Sequence, residues 1–188
     1  MWGPRNLGLE TVKEALPEYA RDIKLNLGGL VNASPLSEQQ LWGAVVAAAL
    51  ASPAGEGSAE LVEEGRRRLS DAAFAGAKAA AAIMAMNNIY YQAKHLLADA
   101  GAGEYGDIPA RLRMSVIATR RGVEKADFEL WCVVVSAVNG CGSCLAAHER
   151  ELRSAGMSTT QIHEGLRIAA VVHAACATLA SEEALTGV

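Results

Sequence analysis

"FELWCVVVSAVNG" occupies residues 128–140, and how it folds decides the rest. Apolar residues fill it with no alternation of period two, and Glu129 is its one charge. A helix that is apolar on every face belongs inside a protein, buried all round. A second stretch, "QLWGAVVAAALA" at 40–51, lines up with it at an offset of 89 residues. Leu41 matches Leu130, Trp42 matches Trp131, Val45 matches Val134, Val46 matches Val135 and Ala48 matches Ala137. Two such stretches predict an all-α fold made of two related helical halves. Composition agrees. Alanine is abundant and aromatic residues are only 5%, which suits closely approaching helices better than a β-sandwich.

The pattern is helical along most of the chain. "VKEALPEYARDIKLNL" (12–27) spaces Leu16, Tyr19, Ile23 and Leu27 by three and four, with Pro17 near a first turn. Ser37 and Gln40 have capping-box spacing ahead of the 40–51 run. "SPAGEGS" (52–58) reads as a loop, and a long helical region at 59–100 is expected to break near "MAMNN" (84–88). "GAGEYGDIPA" (101–110) is a connection punctuated by Gly and Pro. A helix is predicted over 123–138, then a break at Gly140, then a helix from the first cysteine to a stop at Gly156. Ser158 and Gln161 cap the last helix. The 188 residues suit one domain, 1–188, with 1–8 a loose N-terminal segment.

Charge narrows the function classes. The net charge is -4, which makes nucleic acid a poor partner, because phosphate binding needs a basic face. "RRR" (66–68) and "RLR" (111–113) read as solvated helix faces or loops. The beginning, "MWGPRNLGLETVKEALPEYA", lacks the apolar core of a signal peptide. The apolar runs at 41–51 and 168–180 are shorter than the ~18 residues of a membrane span. A cytoplasmic protein without a membrane anchor is expected. Cys132, Cys141, Cys144 and Cys176 are then held reduced rather than paired in two structural bridges.

The chemistry lies in "CGSCLAAHE", 141–149. On a helix, Cys144 falls about −60° and His148 about −20° from Cys141, so all three share one stripe. The two cysteines are one i,i+3 step apart, near enough for a disulfide with small adjustment. Just after Gly140, they sit at a helix N-terminus, where unpaired N–H groups favour a thiolate. Glu129 is the only Asp, Glu, Lys or Arg between Phe128 and Ala147. A carboxyl group in so apolar a helix must find a partner or take up a proton. His148 is that partner if the two helices pack antiparallel across Gly140. Glu129, His148 and Cys144 then form a carboxylate–imidazole–thiol relay.

Other readings compete. Zinc would take Cys141, Cys144 and His148 and need a fourth ligand, Glu129 or His163; structural zinc, however, usually draws its ligands from separate elements. Inert buried thiols would leave Glu129 unexplained. Cys132 and Cys176 read as core thiols. His173 reads as a satisfied core histidine, and His95 and His163 as solvent-facing.

"EALPEYARDIKLNL" (14–27), "AAIMAMNN" (81–88), "FELWCVVVSAVNGC" (128–141) and "CLAAHE" (144–149) resemble the AhpD family of alkyl hydroperoxidases, from about residue 10 to the end. The resemblance implies an all-helical carboxymuconolactone decarboxylase-type fold and a homotrimer. It implies that Cys144 is peroxidatic and Cys141 resolving, with a disulfide between them, and that Glu129 and His148 relay protons. It implies organic hydroperoxides as substrates. The implied reductant is a protein-borne dihydrolipoamide on a lipoylated acyltransferase, and the implied electron acceptor is a peroxiredoxin, AhpC. No bound cofactor, metal or flavin is implied. Some family members carry a histidine just before the second cysteine; here Ser143 stands there, so Cys144 leans on His148 and the helix terminus. A disulfide carrier serving a peroxiredoxin, with little peroxidase activity of its own, needs the same dithiol. A decarboxylase of the same fold would not need the cysteines.

Overall fold

The computed structural model describes residues 7–186, the side chains of Leu7 and Arg121 excepted. Nine α-helices run through them: α1 (Leu7–Ala15), α2 (Arg21–Asn32), α3 (Glu38–Ala51), α4 (Glu56–Arg68), α5 (Asp71–Asp99), α6 (Ser115–Thr119), α7 (Lys125–Val138), α8 (Gly142–Ser154) and α9 (Thr159–Thr186). No strand forms among the described residues. Of the segment expected to be loose, residues 1–6 lie outside the described residues, and α1 already contains Leu7 and Gly8.

α3 and α7 make the centre. Residues 41–49 of α3 and 127–136 of α7 are all buried. The two helices touch through the matched tryptophan: the Trp131 indole lies on Gly43, and its Nε1 donates to the Gln40 carbonyl at 3.2 Å. A Cβ on residue 43 would overlap that ring. Gly43→Ala is therefore expected to cost about 1–3 kcal/mol through overpacking. A thermal melt followed by circular dichroism should show Tm lowered by several degrees.

The two halves repeat in order, length and packing. Helices of 14, 13 and 29 residues (α3, α4, α5) are answered by helices of 14, 13 and 28 (α7, α8, α9). α3 packs on α4, α5 and α9, and α7 packs on α8, α9 and α5. α4 meets the long helix of the other half, α9, just as α8 meets α5. The halves differ in their cover. α1 lies along α4 and lines the groove between α4 and α9 through Thr11, Val12 and Ala15. Among the described residues α8 rests chiefly on α5, α7 and α9, so the corresponding groove on its side is left open.

Three sequence expectations need correction. The 12–27 pattern is two helices, because Pro17 has no N–H to give and crowds the preceding turn. α1 ends at Ala15, a 3₁₀ turn covers Glu18–Ala20, and Tyr19 is exposed, its hydroxyl donating to Glu182 at 2.6 Å. The 59–100 region breaks at Ser70 rather than at 84–88. Ser70 is the extended N-cap of α5 and accepts from the Ala73 N–H at 3.2 Å, and α5 then runs unbroken through Asn87 and Asn88. The "RRR" run is only partly solvated. Arg67 and Arg68 bond the buried Glu64 at 2.7 and 2.9 Å, and Arg68 stacks on Trp42. Burial opposes ionisation of Glu64, but these guanidiniums and the Gly8 N–H outweigh it and hold its pKa below the ordinary value.

The capping expectations hold. Ser37 and Gln40 form a reciprocal box, and so do Ser158 and Gln161. α9, which contains the 168–180 run, is long and apolar enough to cross a membrane by length and composition alone. Here it packs on α2, α3 and α7, with Ile162, Ile168, Val172 and Leu179 buried.

Candidate active site

The turn between α7 and α8 sets the site. α7 ends in a Schellman motif: the Cys141 N–H donates to the Ser136 carbonyl at 3.0 Å and the Gly140 N–H to the Ala137 carbonyl at 3.2 Å. Gly140 adopts φ +69°, the left-handed conformation that glycine reaches without strain. The motif delivers Cys141 directly as the N-cap of α8. Its Sγ accepts from the Cys144 N–H at 3.4 Å, and its carbonyl receives the Leu145 N–H. Cys141 thus precedes the helix that the sequence reading began with it. One side chain from α5 anchors the turn: Asn88 Nδ2 donates to Ser136 Oγ, and Asn139 Nδ2 donates to Asn88 Oδ1, both at 2.9 Å.

Cys141 and Cys144 are joined by a disulfide, with Cα atoms 5.3 Å apart. Their burial differs. Cys141 is sealed at 0% exposure, while Cys144 is 6% exposed and reaches a cavity of about 250 Å³. Ser143, Ala147 and His148 line that cavity from α8, and Asn87 and Tyr91 line it from α5.

The antiparallel hairpin brings Glu129 to His148. Glu129 is buried, and its Oε2 lies 2.6 Å from His148 Nδ1. A carboxylate at Nδ1 keeps the proton on that nitrogen and leaves the lone pair on Nε2. Lys125 and Glu151 pair across the same two helices at the surface. His148 and Cys144 share the cavity wall without a direct hydrogen bond to each other. Among the described residues, no group of three or more His, Cys, Asp or Glu is placed to hold a metal ion.

The remaining cysteines and histidines take no part. Cys132 and Cys176 are buried free thiols. Burial, then the nearby Glu129, pushes the Cys132 pKa well up, and burial pushes Cys176 up to about 12. His163 is exposed, His95 pairs with Asp99 at the surface, and His173 sits 3.3 Å from Ser52 Oγ. Sequence reasoning missed Asn87 and Tyr91, having taken "MAMNN" for a break. For Asn87 the available signal was the one that singled out Glu129, polar groups in an otherwise apolar stretch; for Tyr91 there was none.

The carboxymuconolactone decarboxylase family matches residues 103–187. Curated relatives match almost the whole chain. The alkyl hydroperoxide reductase AhpD of Rhodospirillum centenum is 49% identical over 181 residues, covering 96% of this chain and 95% of its own. The protein of that name from Streptomyces coelicolor is 50% identical over 179 residues, 95% of this chain and 98% of its own. The one from Hyphomonas neptunium is 51% identical over 179 residues, 95% and 97%.

Proposed function

Because the chain belongs to the AhpD family of alkyl hydroperoxide reductases, we propose that it reduces organic hydroperoxides at Cys144 and closes a disulfide with Cys141. It is a peroxide-reducing oxidoreductase, an antioxidant enzyme of all-α fold. One observation carries the assignment of roles. The two sulfurs are bonded, and only Cys144 opens into the cavity that His148, held by Glu129, also lines.

The steps follow from that placement. In the reduced enzyme His148 Nε2 takes the Cys144 thiol proton, and Glu129 steadies the imidazolium at Nδ1. The thiolate attacks the distal peroxide oxygen. An S–O bond forms, the O–O bond breaks, and the electron pair leaves on the alkoxide, which His148 protonates to the alcohol. Cys144 is now a sulfenic acid. The Cys141 thiol attacks its sulfur, the disulfide forms, and water departs.

Re-reduction uses the same asymmetry. A dihydrolipoyl thiolate on an acyltransferase reaches Cys144, the sulfur that opens to the cavity, and expels Cys141 as a thiolate. At the N-cap that sulfur already receives the Cys144 N–H, which lowers the cost of its leaving. The second lipoyl sulfur then releases Cys144, so the lipoyl group ends as a disulfide and both cysteines as thiols. The same cavity-facing sulfur passes electrons to a peroxiredoxin, AhpC. No resident cofactor enters these steps. A dithiol that must return to the reduced state suits a cytoplasmic enzyme. An exposed apolar strip, with Ile89, Leu97 and Ile108, offers a face on which a homotrimer would close.

The test couples NADH oxidation, through a lipoamide dehydrogenase and a lipoyl-bearing acyltransferase, to cumene hydroperoxide or hydrogen peroxide. Turnover that needs both the chain and the lipoyl group is expected, faster with the organic peroxide. Turnover that appears only on adding oxidised peroxiredoxin would replace the peroxidase with a disulfide carrier. No turnover in either case would end both readings.

A further inference from the structure

The cavity beside Cys144 contains a group that the steps above leave idle. Asn87 is 4% exposed and lines this cavity together with Cys144 and His148. Its Oδ1 is enclosed with no hydrogen-bond partner, and among the described residues its NH₂ bonds nothing in the chain either. Asn88, the next residue, serves as the comparison. It has the same side chain and similar burial, but its amide is bonded at both ends, to Ser136 and Asn139. Enclosing an amide oxygen without a partner is unfavourable, and native proteins rarely do it. Packing alone gives position 87 no reason to be polar.

We propose that the Asn87 amide is a substrate-binding group for the hydroperoxide, an assignment that rests on the peroxidase reading above. A hydroperoxide carries one O–H donor and two oxygens with lone pairs, and an amide offers a matching acceptor and two donors. A half-turn of the amide brings either end to the cavity. With the distal oxygen at Cys144, the Asn87 NH₂ donates to the proximal oxygen, the atom that takes the electron pair when the O–O bond breaks. A donor preorganised at the atom where charge develops acts in the transition state. The lipoyl sulfur of the reductive half-reaction is a weak acceptor and gains little from it. Asn87 therefore serves one half of the catalytic cycle and not the other.

The experiment measures the two halves separately in Asn87→Leu, which replaces the amide with an apolar group of similar size. Pre-reduced protein is mixed with cumene hydroperoxide, and oxidised protein with dihydrolipoamide, each in a single turnover. Oxidation of the variant should be about 10²-fold slower, the usual loss of one such donor, with reduction within about twofold of the wild type. Because no partner in the chain is orphaned, Tm should hold or rise. An unchanged oxidation rate overturns the assignment. So does an equal slowing of both steps with a lowered Tm, the mark of a structural role. If the leucine variant is not recovered folded, Asn87→Ala is judged by the same two rates. A wild type that peroxide does not oxidise overturns the peroxidase reading, and this assignment with it; a reactive wild type with an equally reactive variant overturns this assignment alone.

Discussion

Cys144→Ser should abolish peroxide reduction, lowering it roughly 10³-fold or more, because a serine hydroxyl at its ordinary pKa is not a nucleophile toward O–O bonds. Cys141→Ser should fail differently. Cys144 still faces the cavity and His148, so each chain should consume one equivalent of hydroperoxide and stop. The trapped sulfenic acid would then take up dimedone, read by mass spectrometry. These opposite outcomes follow from burial: 0% exposure at Cys141 leaves no path for a peroxide, while Cys144 opens on the cavity. Neither replacement should unfold the chain. The Schellman turn that places Cys141 is made of backbone hydrogen bonds, and serine is itself a preferred N-cap. A single-turnover burst in Cys144→Ser and none in Cys141→Ser would reverse the two roles.

What the sequence disclosed, and what it hid, divide along a physical line. Local features were legible. The Leu-Trp repeat placed the two central helices, and the lone charge of Glu129 in an apolar helix pointed to His148. The antiparallel hairpin on which that pairing was conditional brings those two within 2.6 Å. The Ser158 cap and the buried thiols at 132 and 176 are also local matters. What stayed hidden depends on distant partners. Asn87 and Asn88 have modest helix propensity, and along the chain they look like an interruption. Asn88 is accommodated because Ser136 and Asn139, some fifty residues away, bond its amide. Tyr91 joins the site only because α8 crosses the long helix of the other half. Pro17 is the opposite case: apolar residues around it keep i,i+3 and i,i+4 spacing, but the local backbone rule for proline ends α1 at Ala15.

The proposed relay predicts a second large effect, at a residue that is no part of the cavity wall. Glu129→Gln keeps the shape and an acceptor for His148 Nδ1 but removes the charge that steadies an imidazolium. The rate of Cys144 oxidation should fall by about 10²-fold, the lower range for general acid–base assistance. Tm should stay within a few degrees, since a neutral amide is less costly to bury than a carboxylate. A structural defect could mimic the rate loss, and a mutant cycle separates the two. Glu129 lies 2.6 Å from His148 and does not line the cavity, so the relay routes what it gives the reaction through the imidazole. His148→Gln should therefore slow oxidation at least as much as Glu129→Gln, and the double variant no more than His148→Gln alone. Additive losses would mean that the carboxyl group acts on the sulfur by another route. An unchanged rate in Glu129→Gln would mean that His148 works unaided, and the buried glutamate would then need a structural explanation.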